Sequence, residues 1–153
     1  MLGEFVGIFT FASMVIYCVI AIGAFVYSML LFCDSKLAIN DSERQYFNVR
    51  LYRLHFGFFF LGASLAAAAI AYLQFLEARS SAIDIVVLMF EFYGIFGTIF
   101  LSRDKRMKKN TDLAYVTDSN QLDDDKITRR DLLMIFGYLL PSVLLLIWIL
   151  VFI

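Results

Sequence analysis

Two carboxylic acids, Asp84 and Glu91, lie inside a long apolar stretch of the sequence. Their spacing of seven residues places both side chains on the same face of a helix. A carboxylate at the depth of a bilayer is costly, and it is a default hypothesis for a functional site. The chemistry open to such a group is proton uptake and release, cation binding, or pairing with donors on a neighbouring helix.

The stretch that holds these acids is one of four in a chain of 153 residues, of which 61% are hydrophobic. Soluble domains contain about 45–50% apolar residues, and a transmembrane helix needs about 20 of them in succession. The sequence therefore predicts an all-α integral membrane bundle of four antiparallel transmembrane helices in one domain, 1–153. The predicted helices cover approximately residues 5–33, 55–76, 82–101 and 131–153.

Basic residues are distributed very unevenly between the connections. Twelve of the 13 Lys and Arg fall in the predicted loops 34–54 and 102–131, and the remaining one is Arg79. Basic residues near membrane spans mark the cytoplasmic side. We therefore expect both loops to be cytoplasmic and both termini to be outside, in a bacterial cytoplasmic membrane.

A basic cluster directly follows the third predicted helix. Beside a span, such a cluster attracts anionic lipid headgroups with about 1 kcal/mol per basic residue, and it also acts as a topology signal. The cluster is a candidate lipid-headgroup site. Its members are Arg103, Lys105, Arg106, Lys108 and Lys109.

The two acids differ in predicted depth. Asp84 lies near the start of the third helix, where the helix dipole and the outer interface both favour a carboxylate. Glu91 is close to the middle of the same span. An ionised carboxylate at the midplane is expensive, so we expect Glu91 to be protonated, paired or in contact with water.

Hydroxyl groups on the other three helices are predicted at the depth of Glu91. We predict that Glu91 faces the interior of the bundle and accepts a hydrogen bond from at least one of them. No Lys, Arg or His lies at that depth, so a counter-charge has to come from another subunit or a bound cation. The candidate hydrogen-bond partners at the midplane are Tyr17, Ser64, Tyr138 and Ser142.

Several local motifs predict how helices two and four begin and pack. Asp41 or Ser42 is expected to cap an extension of helix two that starts before the membrane. Small residues at 62–64 and 66–69 favour close contacts and indicate that helix two is central. Further along the chain, Thr128 and Asp131 resemble a cap that opens helix four.

Helix four also contains the only proline of the chain, Pro141. A proline in a helix cannot donate to the carbonyl four residues earlier. The carbonyl of Gly137 therefore needs another donor, since hydrocarbon offers none.

The sequence argues against several classes of function. A net charge of −1 does not suit a nucleic-acid binder. The single histidine, His55, is predicted to be an interfacial residue rather than a ligand, and no His/Cys cluster suggests a metal site. Cys18 and Cys33 are about 22 Å apart on one helix and cannot pair. We expect no enzyme activity, no cofactor and no metal.

The sequence favours a non-catalytic multi-pass subunit of a larger membrane complex, such as an energy-converting, secretion or transport assembly. Its expected partners are membrane lipids and other membrane subunits or copies of itself. The alternative is a small oligomeric proton or cation channel or transporter, in which Glu91 binds the ion and Asp84 guards the outer entrance. An enzyme of lipid chemistry is a weaker option because no nucleophile–base pair is evident.

Overall fold

The computed structural model describes residues 2–41, 48–76, 81–103 and 127–152, with side chains from residue 7 in the first helix and from residue 87 in the third. These residues form four helices and no strand, which confirms the all-α prediction. The helices are α1 (Leu2–Phe32), α2 (Val49–Phe75), α3 (Ser81–Ser102) and α4 (Arg129–Phe152).

Three of these helices are long and apolar enough to cross a membrane, and α3 contributes a shorter apolar segment. Large apolar side chains cover their outer faces, with Phe9, Phe136 and Leu150 more than two-thirds exposed. Hydrocarbon solvates such a surface and water does not, so the chain is an integral membrane protein. The apolar segments are Gly7–Phe32, Val49–Phe75, Arg129–Phe152 and Val87–Ser102.

The observed ends of α1, α3 and α4 lie within three residues of the predicted ones, whereas α2 begins six residues earlier than residue 55. Asn48 caps α2, since its side chain accepts from the Leu51 amide at 3.4 Å. The cap of α2 is therefore neither Asp41 nor Ser42, and the predicted extension over 42–47 lies outside the described residues. The Asp41 carboxylate accepts a bond from Lys36 Nζ at 2.9 Å.

The central helix is α2, which packs against α1, α4 and, less extensively, α3. Ala66 and Ala67 are buried in its contacts. A methyl group added at Gly62 would lie 2.5 Å from the Tyr138 carbonyl oxygen, so glycine is what allows α4 to approach this closely. The predicted central position of helix two is confirmed.

Serine hydroxyls join α2 to both of its main neighbours. Ser28 and Ser64 donate to backbone carbonyls across the α1–α2 contact, and Ser142 does so across the α2–α4 contact. Each hydroxyl hydrogen is thereby satisfied without water, as hydrocarbon requires. The three bonds are Ser28 Oγ to Gly57 O at 2.8 Å, Ser64 Oγ to Ala21 O at 2.7 Å and Ser142 Oγ to Gly62 O at 2.6 Å.

The end of the bundle where α1 finishes and α2 and α4 begin is called the long-loop end here. At this end Asp34 adopts a left-handed conformation with φ 56°, which closes α1 as a C-cap. The Arg53 guanidinium donates to the last carbonyls of α1, at 2.7 Å to Leu31 and 2.6 Å to Phe32. The start of α2 is therefore tied to the end of α1.

Candidate functional site

A cleft of about 1060 Å³ lies between α1 and α3, with α2 forming its floor. Along α1 it extends from Phe9 to Ala24, a distance of about 22 Å at 1.5 Å per residue. We call it the lateral cleft. Most of its lining is apolar, and its polar side chains are Thr10, Ser13, Tyr17, Gln74, Glu91 and Thr98.

Glu91 lies midway along α3 and is exposed in this cleft. The Tyr17 hydroxyl of α1 donates to Glu91 Oε1 at 3.0 Å, so one of the four predicted partners does reach it. The predicted interior orientation is wrong. The neighbouring Tyr93 and Gly97 meet Phe59 of α2, and helical geometry then turns Glu91 about 100° or more away from that contact.

The other three predicted partners form hydrogen bonds elsewhere among the described residues. Ser64 and Ser142 reach backbone carbonyls of α1 and α2, and Tyr138 meets a histidine of α2. Tyr17 therefore meets the prediction that at least one of the four hydroxyls donates to Glu91, and the other three are on the wrong side of the bundle to reach it. They lie at the α1–α2 and α2–α4 contacts, whereas Glu91 lies on the side of α3 that faces α1.

A second polar side chain of the cleft, Gln74, has a hydrogen-bond partner for only one of its two polar atoms. Its Nε2 donates to Ser13 Oγ at 2.9 Å, but its buried Oε1 accepts no hydrogen bond. An unpaired buried acceptor costs about 1–3 kcal/mol. Among the described residues that line the cleft there is no Lys, Arg or His, so this part of the lining holds acceptors without a cation to match.

A second polar cluster lies at the long-loop end and has the opposite character. His55 Nε2 lies 3.0 Å from Asp131 Oδ1, and His55 Nδ1 lies 3.1 Å from the Tyr138 hydroxyl. His55 and Asp131 are both 0% exposed and Tyr138 is 8% exposed. We call these three residues the buried triad; they join the second turn of α2 to the first three turns of α4.

Hydrogen bonding in the buried triad is complete. A neutral imidazole that carries its proton on Nε2 donates to Asp131, and its Nδ1 accepts from Tyr138. The second carboxylate oxygen of Asp131 accepts from the Thr128 amide at 2.8 Å and the Thr128 hydroxyl at 2.7 Å. The predicted cap between Thr128 and Asp131 is therefore confirmed, and it holds the carboxylate in place for His55.

His55 lies near the long-loop end of α2, in keeping with its interpretation as an interfacial residue, but its side chain is buried against α4, which was not predicted. A signal was present in the sequence, because Leu51, His55 and Phe59 follow each other at helical spacing and share one buried stripe. A tyrosine, a histidine and an aspartate in this order resemble a nucleophile, base and orienting group. His55 and Asp131 have no exposed surface, and the hydrogen bonds of His55 to Tyr138 and Asp131 link α2 to α4.

The predicted need of the Gly137 carbonyl for another donor, caused by Pro141, is confirmed. The hydroxyl of Tyr93 on α3 donates to Gly137 O at 3.4 Å. Gly137 O is the carbonyl that Pro141 leaves without its helical donor. This long bond joins α3 to α4 and adds to the limited contacts that hold α3.

Several predicted site residues fall at or beyond the edges of the described chain. The backbone of Asp84 lies in the first turn of α3, but its side chain is outside the described residues. Arg103 is exposed directly after α3. Lys105, Arg106, Lys108 and Lys109 lie outside the described residues. Their roles as ion-entrance or headgroup sites stay predictions.

The fold defines a class, that of helical integral membrane proteins, and this one has a largely apolar cleft between α1 and α3 that contains a carboxylate. Comparison with protein-family models, curated proteins and solved structures finds no match for the chain. The function is therefore argued from geometry and charge.

Proposed function

We propose that the chain is a non-catalytic multi-pass subunit of a larger membrane complex, of the energy-converting, secretion or transport type. The observation that carries this proposal is the position of Glu91, which is exposed in the lateral cleft with Tyr17 as its donor. Acyl chains provide no donor for a carboxylate. A neighbouring protein that covers the cleft would supply one.

The packing of α3 supports the same proposal. Leu101 is the one buried side chain among residues 87–102 of α3. A helix with so few buried contacts gains little from its own bundle. A partner that packs on both α1 and α3 would bury it.

The buried triad also favours a role without catalysis. It is the arrangement in the described chain that most resembles catalytic machinery, and its His55 and Asp131 are fully buried. The distribution of basic residues supports cytoplasmic loops at 34–54 and 102–131, external termini and a bacterial cytoplasmic membrane. In that orientation the basic cluster around Arg103 faces anionic headgroups.

Purification from native membranes in a mild detergent tests the subunit role. We expect the 17.6 kDa chain to elute in a particle of larger protein mass, measured by light scattering, with a second polypeptide in a fixed ratio. A folded, monodisperse monomer without a co-eluting polypeptide would contradict the proposal.

The second candidate is an oligomeric proton or cation channel or transporter. Its support is the series of polar side chains along the cleft, from Thr10 at one end to Thr98 at the other, with Glu91 between them. The full chain reconstituted in liposomes would then conduct protons or cations, and Glu91→Gln would abolish the flux. A flux that is unchanged in this variant removes the candidate.

A further inference from the structure

We propose that the lateral cleft is the docking site for a transmembrane helix of a different protein, and that this helix carries a Lys or Arg that pairs with Glu91. This inference rests on the proposed subunit role, and it adds the chemistry of the docking element.

Charge is the first argument for such a partner. Glu91 accepts from Tyr17, which leaves hydrogen-bonding capacity on its carboxylate, and none of the described residues that line the cleft is basic. A carboxylate at this depth is best stabilised by a cation with hydrogen-bond donors, which Lys and Arg both provide.

A second copy of this chain does not meet that requirement. None of the 13 Lys and Arg falls within residues 54–78, 80–102 or 131–153, or in the first 32 residues. The middle of every apolar helix is therefore free of basic side chains. A basic side chain that complements Glu91 therefore has to come from another protein.

The shape of the cleft favours a helix over a compact ligand. It is about 22 Å long along α1, most of the roughly 30 Å thickness of a hydrocarbon core. Small residues line it, including Ala12, Ala24, Ala63 and Gly94. A methyl group added at Gly94 would meet nothing within 4 Å. Small side chains allow the backbone of an incoming helix to approach closely.

Gln74 points to a second polar contact on the same partner. Its side chain lines the cleft and bonds Ser13, which precedes Tyr17 by one turn of α1. A hydroxyl or amide group on the partner helix, about one turn from its basic residue, would lie beside this amide.

The test uses a synthetic helix, since the natural partner is unidentified. A labelled peptide of about 20 Leu and Ala residues with one central Lys is mixed with the purified full chain in phosphatidylcholine vesicles, and association is followed by energy transfer. Two control peptides carry Leu at the centre or the Lys near one end. We expect the central-Lys peptide to bind about tenfold more tightly than either control, or about 1.4 kcal/mol.

Two variants of the chain test whether the peptide binds in the lateral cleft. Glu91→Gln should remove the preference for the central Lys, and Ala63→Phe should block all peptides by filling the cleft. Ala68→Phe is the matched control, because Ala68 is exposed on α2 and does not line the cleft; it should bind as the wild type does. Circular dichroism and unfolding curves verify that each variant is folded.

Each outcome supports or overturns the inference. Equal binding of the central-Lys and central-Leu peptides overturns it, as does a preference that persists in folded Glu91→Gln. Displacement of the peptide by unlabelled Ala63→Phe chain, whose own cleft is blocked, would show that a second copy occupies the cleft, and would also overturn it. If the chain co-purifies with a second polypeptide but shows no preference for Lys, the subunit role stands and the docking inference fails.

Discussion

The buried triad and the lateral cleft contain the same kinds of chemical group, but they differ in how completely those groups are paired. In the triad, Asp131 accepts from His55 and Thr128, and no part of its side chain is exposed. In the cleft, Glu91 is exposed and accepts from Tyr17. Complete pairing within the chain is what a structural role of the triad requires, and the shortage of donors in the cleft supports the proposal that the cleft binds a partner.

This difference predicts that substitutions in the triad lower stability, whereas substitutions in the cleft lower association. A polar network that is complete within the chain has nothing left to offer a partner. Acceptors that lack donors cost the isolated chain free energy, and an incoming donor recovers it.

The largest expected effect on stability is that of His55→Leu. This change leaves the buried Asp131 carboxylate without the hydrogen bond from His55 Nε2, which costs about 3–5 kcal/mol. The measurement is the free energy of unfolding in mixed detergent micelles. The double variant with Asp131→Asn should regain part of the loss because no buried charge is left unpaired. A loss below about 1 kcal/mol in the single variant would show that the triad does not hold α2 to α4.

An intermediate effect is expected for Gly62→Ala. The added methyl group would lie 2.5 Å from the Tyr138 carbonyl oxygen, so α4 has to move away from α2, at a cost of about 1–3 kcal/mol. Gly23→Ala is the control, since a methyl group there meets nothing within 4 Å and better helix propensity favours it by about 1 kcal/mol. Equal unfolding free energies for the two variants would contradict the observed α2–α4 packing.

The smallest effect on stability is expected for Glu91→Gln. The amide oxygen of glutamine still accepts from Tyr17, so the loss should stay below about 1 kcal/mol. Unfolding in the same micelles measures it. A loss as large as that of His55→Leu would mean that Glu91 belongs to the structural core of the bundle, and the contrast between the two regions would disappear.

The depth of a residue along its helix was predictable from the sequence, whereas the identity of the helices that it contacts was not. The thickness of the hydrocarbon fixes the length and spacing of the helices, and it places Tyr17 at the level of Glu91. The same reasoning found that Gly137 needs a donor. It did not show which helices touch, because four apolar helices of similar composition can be arranged around each other in several ways.

The missed features all depend on the position of α2 between its neighbours. His55 and Asp131 lie near the starts of α2 and α4, so they share a depth, but only the contact between these two helices brings them together. Ser142 was expected near Glu91, and the close approach at Gly62 directs its hydroxyl to α2 instead. The exposure of Glu91 follows from the rotation of α3, which hydropathy does not specify.

Site-specific photo-crosslinking in native membranes tests the central claim most directly. A photoreactive phenylalanine analogue is placed at Ile95 or Thr98 in the lateral cleft, and in matched variants at Leu140 or Leu144, which are exposed on α4 outside the cleft. We predict one discrete protein adduct from the cleft positions, lost on Glu91→Lys, and no protein adduct from the α4 positions. Crosslinking that is absent from the cleft, or equal at the two faces, would contradict the account.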